Sequence, residues 1–259
     1  MKLNDFISSV PNELANIELL GITNDSRNVK SGYCFVCIVG SASDGHDYAE
    51  KALQNGASVI ITERDIGIKN QLIVADTHKA YADGCAAFFG NPADKLKLIG
   101  ITGTNGKTTV TYLVKSVLEQ LGKKVGLIGT IKNMIGDVEL EAKNTTPEPY
   151  ELHGLFKQMV DSGCEYCVME VSSHALDQKR VNGLNFAVAG FTNISQDPLD
   201  YHGTMENYVG AKKKLFEMCD CGVFNADDEC VDLLMENIPC KKVTYSVNNS
   251  VSDYIAKGV

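Results

Sequence analysis

Eight consecutive residues, Thr102-Gly103-Thr104-Asn105-Gly106-Lys107-Thr108-Thr109, combine glycines, a lysine and hydroxyl groups at a spacing suited to phosphate chemistry. Glycines let backbone N–H groups turn inward onto phosphate oxygens. Lys107 can neutralise charge on a transferring phosphoryl group, and the Thr108 hydroxyl can be offered to Mg2+. The strict G-x-x-x-x-G-K-[ST] pattern is not met, because its first glycine would fall on Ile101. The plainer alternative is a Gly-rich turn capping a helix, which leaves the run Gly-Lys-Thr-Thr at such a junction hard to explain.

A phosphate loop of this kind needs a strand to deliver it and a helix to leave from it. Leu98 to Ile101 reads as a short strand, and Thr108 to Leu121 carries Val110, Leu113, Val114, Val117, Leu118 and Leu121 at helical spacing, with Gly122 as its C-cap. Lys124 to Ile128 is the next strand, so the spacing predicts a βαβ unit, a parallel sheet and a right-handed crossover. Apolar runs at Tyr166 to Val171, Phe186 to Phe191, Gly222 to Phe224 and Lys242 to Tyr245 supply further strands. Functional residues are then expected at the carboxyl ends of strands.

The first ninety or so residues read as a separate small α/β unit. Its expected strands lie near Tyr33 to Val39, Ser58 to Thr62 and Leu72 to Val74, and its helices near Tyr48 to Gln54 and His78 to Phe89. Gly90, Asn91 and Pro92 end the second helix, which puts a domain boundary between about Gly90 and Lys97 and divides the chain into 1–92 and 93–259. At roughly 150 residues per domain, 259 residues fit two domains. Apolar residues make up 44% and charged residues 22%, which excludes global disorder and collagen-like or disulfide-scaffold classes.

Lys plus Arg number 24 against 33 Asp plus Glu, a net charge of −9, so the overall field repels a nucleic-acid backbone and any phosphate must be held locally. No run approaches the ~18 to 20 apolar residues of a membrane span, and Met1 to Val10 lacks a signal-peptide pattern. The expectation is a cytoplasmic protein without membrane insertion. Nine cysteines, an odd number, fit reduced thiols. The C-x-x-C pairs Cys34/Cys37 and Cys164/Cys167 lie in strand-like runs, where a period of two sends i and i+3 to opposite faces. They read as buried small hydrophobes rather than zinc ligands.

Further motifs follow in order: Asp25-Ser26-Arg27 and Asp44-Gly45-His46 before the phosphate loop, then Asn144-Thr145-Thr146-Pro147, Glu170-Val171-Ser172-Ser173-His174, Gln178 with Arg180, Asp200-Tyr201-His202-Gly203, and Tyr208 to Phe216. Together they resemble the Mur ligase family over nearly the whole chain. The resemblance implies a small N-terminal α/β UDP-binding domain followed by a truncated P-loop-type ATPase domain with a mostly parallel sheet. It also implies an ATP-dependent amide ligase of peptidoglycan synthesis. ATP would phosphorylate the free carboxylate of UDP-N-acetylmuramoyl-L-alanyl-D-glutamate, and the amine of a third amino acid, L-Lys or meso-diaminopimelate, would attack the acyl phosphate. A carboxylate is a poor acceptor because its leaving group is poor and two anions must approach. Phosphate activation and metal screening meet that need.

Carried over residue by residue, the resemblance puts ATP on Gly103, Thr104, Asn105, Gly106, Lys107, Thr108 and Thr109. It places Ser26, Arg27 and His46 at the uridine nucleotide. Asn144, Thr145 and Thr146 would hold the muramoyl-peptide, with Ser172, Gln178 and Arg180 reaching its sugar or peptide part. Arg180 also has a rationale of its own, since a planar guanidinium suits an anionic substrate. Thr108, Glu170 and Lys212 would hold Mg2+, with Lys107, Glu170 and Lys212 acting in catalysis. Glu170 ends an apolar strand, where it can bind a cation or cap a neighbouring helix. On residue type alone Lys212, Lys213 and Lys214 form a basic helix face. The family pattern instead implies that CO2 carbamylates Lys212, turning an ammonium into an oxygen donor.

Two departures stand out. The family usually has a histidine after the aspartate matching Asp197, where this chain has Pro198, so the second Mg2+ site lacks a ligand. The chain also stops at Val259 in sequence resembling the middle of the central domain, which predicts a truncated protein or one half of a split enzyme with a separate C-terminal ligase half. An unprotected sheet edge is then expected. The alternative function is a non-catalytic UDP-muramoyl-peptide- or nucleotide-binding protein. The Asp25-Ser26-Arg27 and Asn144 to Pro147 motifs speak against a folate-type ligase.

Overall fold

The computed structural model describes residues 1–7, 10–40, 43–195, 201–248 and 251–257. Asp197, Pro198 and Asp200 lie outside the described residues. The chain divides into two compact units, Met1–Asn91 with Pro149–His153, and Pro92–Glu148 with Gly154–Val259.

In the first unit, strands β1 (Gly21–Thr23), β2 (Tyr33–Val36), β3 (Ala57–Thr62) and β4 (Gln71–Ile73) form an all-parallel sheet in sequential order. The helices are α1 (Asn12–Ala15), α2 (Ala49–Gln54) and α3 (Thr77–Phe88). Alternation along the strands sorts the core into two layers. Cys34, Val36, Val59 and Ile61 pack with Leu3, Phe6, Leu14, Tyr81 and Cys85. Phe35, Cys37 and Ile60 pack with Val29, Ala49 and Ala52. Cys34 and Cys37 thus point into different layers, and burial raises both thiol pKa values, that of Cys37 to about 12.

The second unit holds β5 (Lys97–Thr102), α4 (Lys107–Gln120), β6 (Val125–Ile128), β7 (Lys132–Ile135), β8 (Val138–Glu141), α5 (Pro149–Asp161, whose first turn belongs to the other unit) and β9 (Tyr166–Glu170). It continues through α6 (Ser173–Asp177), β10 (Phe186–Phe191), α7 (Met205–Lys213), β11 (Cys219–Asn225), α8 (Val231–Met235), β12 (Lys241–Ser246) and β13 (Tyr254–Ile255). Its nine strands run in the order β13-β12-β11-β10-β5-β9-β6-β7-β8, parallel except for the β6-β7-β8 meander. β5 and β6 are parallel but not neighbours, because β9 lies between them. The crossover from β5 leaves toward β6, and that from β10 leaves the other way toward β11. The chain therefore reverses direction at the β5/β10 pair, and a crevice opens there at the carboxyl ends of both strands.

Helix α4 departs from the apolar stripe expected of it. Val110, Val114 and Leu118 pack against Ile101, Val125 and Val168. Leu113, Val117 and Leu121, one residue earlier in each turn, are rotated away and stay 60%, 56% and 70% exposed. At the far edge β13 pairs with β12 over two residues only, and its own Tyr254, like Val251 just before it, is exposed. Among the described residues no helix is long and apolar enough to cross a membrane.

Candidate functional site

Strand β5 ends at Thr102, and Gly103 follows with φ +146°. A Cβ on Gly103 would stand 1.9 Å from the Thr192 hydroxyl, so the loop passes the end of β10 at a distance that only glycine permits. Gly106, left-handed at φ 84°, is the N-cap of α4. The segment after β10 anchors the loop. Thr104 N–H donates to Asn193 O (2.7 Å), Asn105 N–H donates to Asn193 Oδ1 (3.1 Å), and the Thr192 hydroxyl donates to Asn105 O (2.7 Å). Asn193 carries no strong motif, and only the pairing of β10 beside β5 reveals its part.

Two lysines converge on one carbonyl. Lys107 Nζ donates to Gly103 O (2.9 Å) and Thr104 O (2.8 Å), and Lys212 Nζ reaches Gly103 O from α7 (2.9 Å). Lys212 is 1% exposed and lies 4.2 Å over the Tyr208 ring. These groups open on a cavity of about 140 Å3 lined by Gly103, Lys107 and Lys212, by Thr145, Ser172, Ser173 and His174, and by Tyr201, His202 and Tyr208. None of these side chains is a carboxylate. Burial first, then the Arg180 charge, lowers the His174 pKa, and burial followed by His174 itself lowers that of His202. The wall therefore combines two ammonium groups with neutral imidazoles, which suits an anionic ligand.

Behind this wall lies Glu170, the last residue of β9 and 1% exposed. Its Oε1 accepts from the Thr108 hydroxyl (2.9 Å) and from Thr130 N–H (2.9 Å), and its Oε2 accepts from the Thr130 hydroxyl (3.1 Å). No lysine, arginine or histidine of the described residues pairs with it. Gly129 lets the carboxylate approach, since a Cβ there would stand 2.5 Å from Oε1. The Thr146 hydroxyl donates to Glu170 O (2.9 Å) and accepts from Ser172 N–H (3.0 Å), which ties the Asn144 to Pro147 segment to the end of β9.

The remaining expected residues occupy supporting places. Ser172 is the N-cap of α6. Arg180, 16% exposed at its side chain, donates to Thr146 O (2.9 Å), to Gln178 Oε1 and to Glu148. Asn144 and Thr109 are exposed and do not line the cavity. In the first unit Ser26 begins a 3-10 turn capped by Asp25, and the Arg27 guanidinium lies along that carboxylate and holds its pKa down. His46 is buried, its Nδ1 2.6 Å from Asp44 and its Nε2 accepting from Glu63 N–H (3.0 Å). An accepting Nε2 places the ring proton on Nδ1. Arg64 binds Asp44 from the other side and holds it below the usual carboxylate range.

A strand that ends in a Gly-rich loop, a helix rising from that loop and a lysine folded over it define a phosphate-loop α/β protein. The chain belongs to the Mur ligase family. A model described as the Mur ligase middle domain matches residues 101–259, and one described as the Mur ligase family catalytic domain matches residues 18–121. Among curated relatives, the UDP-N-acetylmuramoyl-L-alanyl-D-glutamate--2,6-diaminopimelate ligase of Clostridium tetani is 45% identical over 100% of this chain and 55% of its own length. That of Clostridium perfringens is 46% identical over 91% of this chain and 50% of its own. A solved structure of a ligase of that name matches with a TM-score of 0.87 at 29% identity, covering 98% of this chain and 54% of that one. The chain thus spans about half the length of the curated relatives it matches.

Proposed function

We infer that this chain supplies the UDP-muramoyl-peptide- and ATP-binding parts of a cytoplasmic ligase that adds the third amino acid, L-Lys or meso-diaminopimelate, to UDP-N-acetylmuramoyl-L-alanyl-D-glutamate. The observation that carries the reading is the convergence of Gly103, Lys107, Thr145, Ser172 and Lys212 on one cavity at the carboxyl ends of β5 and β10. The 103–109 loop takes the phosphates of ATP, with Lys107 placed to leave its loop carbonyls for them. Thr145, Thr146 and Ser172 receive the muramoyl-peptide, with Arg180 holding the Thr146 backbone, while Ser26, Arg27 and His46 serve the uridine nucleotide in the first unit. The Lys107 ammonium at this wall lowers the repulsion between the substrate carboxylate and the phosphoryl group it attacks.

The hydroxyl and carboxylate at Thr108 and Glu170 are hard oxygen donors 2.9 Å apart, a set that fits Mg2+. Bound there, Mg2+ would screen the phosphate charge. Lys212 joins that set only as a carbamate, formed when its neutral amine adds to CO2 and releases a proton. The carbamate keeps one N–H, enough for the bond to Gly103 O.

The test is phosphate release from ATP by the chain, alone and with the C-terminal half of the Clostridium tetani relative as the partner polypeptide. Release that requires both UDP-N-acetylmuramoyl-L-alanyl-D-glutamate and an amino acid supports the ligase. Saturable binding of both nucleotides without turnover supports the non-catalytic alternative, and no binding of either overturns both.

A further inference from the structure

One hydroxyl bridges the buried carboxylate and the cavity wall. Thr130 Oγ1 lies 3.1 Å from Glu170 Oε2 and 3.0 Å from Thr145 Oγ1, and Thr145 lines the cavity. A hydroxyl has one proton to give. The carboxylate oxygen accepts, so the Thr130 proton goes to Glu170, and the bond to Thr145 then runs from Thr145 to Thr130. With its only proton directed inward, Thr145 presents lone pairs to the cavity and serves there as an acceptor. The direction is set three residues deep, at a carboxylate that also takes the Thr108 hydroxyl and the Thr130 N–H.

We propose that Thr130 is a positioning residue that passes the polarity of Glu170 to Thr145, so that Thr145 selects an N–H or O–H donor of the acceptor substrate and disfavours an anionic oxygen. This rests on the reading of the cavity as the muramoyl-peptide site and names which kind of group meets Thr145 there: an amide N–H or sugar hydroxyl, not a phosphate or carboxylate. Lys107, which lines the same cavity, meets the anionic groups. Donor recognition and anion recognition are thus separated within one wall.

The experiment is calorimetric titration of the chain with UDP-N-acetylmuramoyl-L-alanyl-D-glutamate. The variants are Thr130→Val, Thr130→Ala, Thr130→Ser, Thr145→Val and the Thr130→Val/Thr145→Val double variant, each also melted by circular dichroism. Thr130→Val and Thr145→Val are each expected to weaken binding about five- to tenfold, the size of one neutral hydrogen bond. The double variant is expected to be no weaker than the worse single, because the two act through one chain of bonds. Thr130→Ser, which restores the hydroxyl, returns affinity to within about twofold. Thr130→Ala leaves out the methyl that valine pushes toward Glu170, so a packing defect peculiar to valine does not decide the outcome. Unchanged binding in both Thr130→Val and Thr130→Ala overturns the proposal, as do losses that multiply in the double variant. If the unaltered chain binds ATP but not the UDP-muramoyl-peptide, the functional reading itself has failed and the proposal with it.

Discussion

Gly129→Ala tests whether the buried carboxylate is held as tightly as its surroundings indicate. Gly129 does not occupy the left-handed region, so alanine suits its backbone and the effect is purely steric. The new Cβ would stand 2.5 Å from Glu170 Oε1 and 3.3 Å from Cδ. An ordinary carbon–oxygen contact needs about 3.4 Å, so the carboxylate must retreat by about 0.9 Å. Both bonds to Oε1, from the Thr108 hydroxyl and Thr130 N–H, start at 2.9 Å and have little room to stretch. Hydrogen bonds to a charged group contribute about 1.5–3 kcal/mol each, and partial relaxation leaves a destabilisation of about 2–4 kcal/mol. With no tryptophan in the chain, urea unfolding followed by circular dichroism is the assay. In a Glu170→Ala background the clash has no partner, and Gly129→Ala should cost less than about 1 kcal/mol. A loss within about 0.5 kcal/mol of zero in the unaltered background, or an equal loss in both, refutes the reasoning.

Three further outcomes follow from the same geometry. Gly103→Ala, whose Cβ meets the Thr192 hydroxyl at 1.9 Å, should lower affinity for a fluorescent ATP analogue at least tenfold, and unchanged affinity would show that the loop adapts. Lys107→Ala should abolish the phosphate release proposed for the chain with its C-terminal partner half, while the circular dichroism spectrum and melting temperature stay close to those of the parent; undiminished release removes Lys107 from the proposed mechanism. His153 is 1% exposed, and burial pushes its imidazole down to about 4, against about 6.5 when unfolded. Because the unfolded chain takes up the proton first, stability should decline as pH falls from about 6.5 to 4, by about 3 kcal/mol at most. His153→Leu should flatten that part of the pH profile, and an unaltered slope would assign the loss to other groups.

Much of the fold could be read from local pattern. The strand at Phe186–Phe191 has the expected bounds, and α4 lies within one residue of its expected limits, because a strand buried on both faces and a Gly-capped amphipathic helix advertise themselves over short windows. β1, of three residues, is too short to leave a periodic signal, and the β7-β8 hairpin leaves none because its Val138–Glu141 strand is largely exposed and lacks an apolar run. The order of strands was not legible either. A βαβ unit announces parallel strands but not whether a third inserts between them, and β9, encoded about forty residues after β6, takes that place through contacts made only in the folded chain.

The site divides the same way. The order Gly-Thr-Asn-Gly-Lys-Thr determined by itself that a phosphate loop would form, since the need for positive φ, a cation and an N-terminal helical hydroxyl is met within one short stretch. Thr130 and Asn193 belong to no comparable stretch. Their roles exist because Glu170 and Thr130, forty positions apart, and Asn105 and Asn193, eighty-eight apart, are brought within hydrogen-bonding distance by strand pairing. Hydrogen bonds act over about 3 Å and carry no trace in residue spacing at such separations. Residue order could therefore set the chemistry of the loop, while only the packed sheet could set which groups hold it and which way the hydroxyl at Thr145 points.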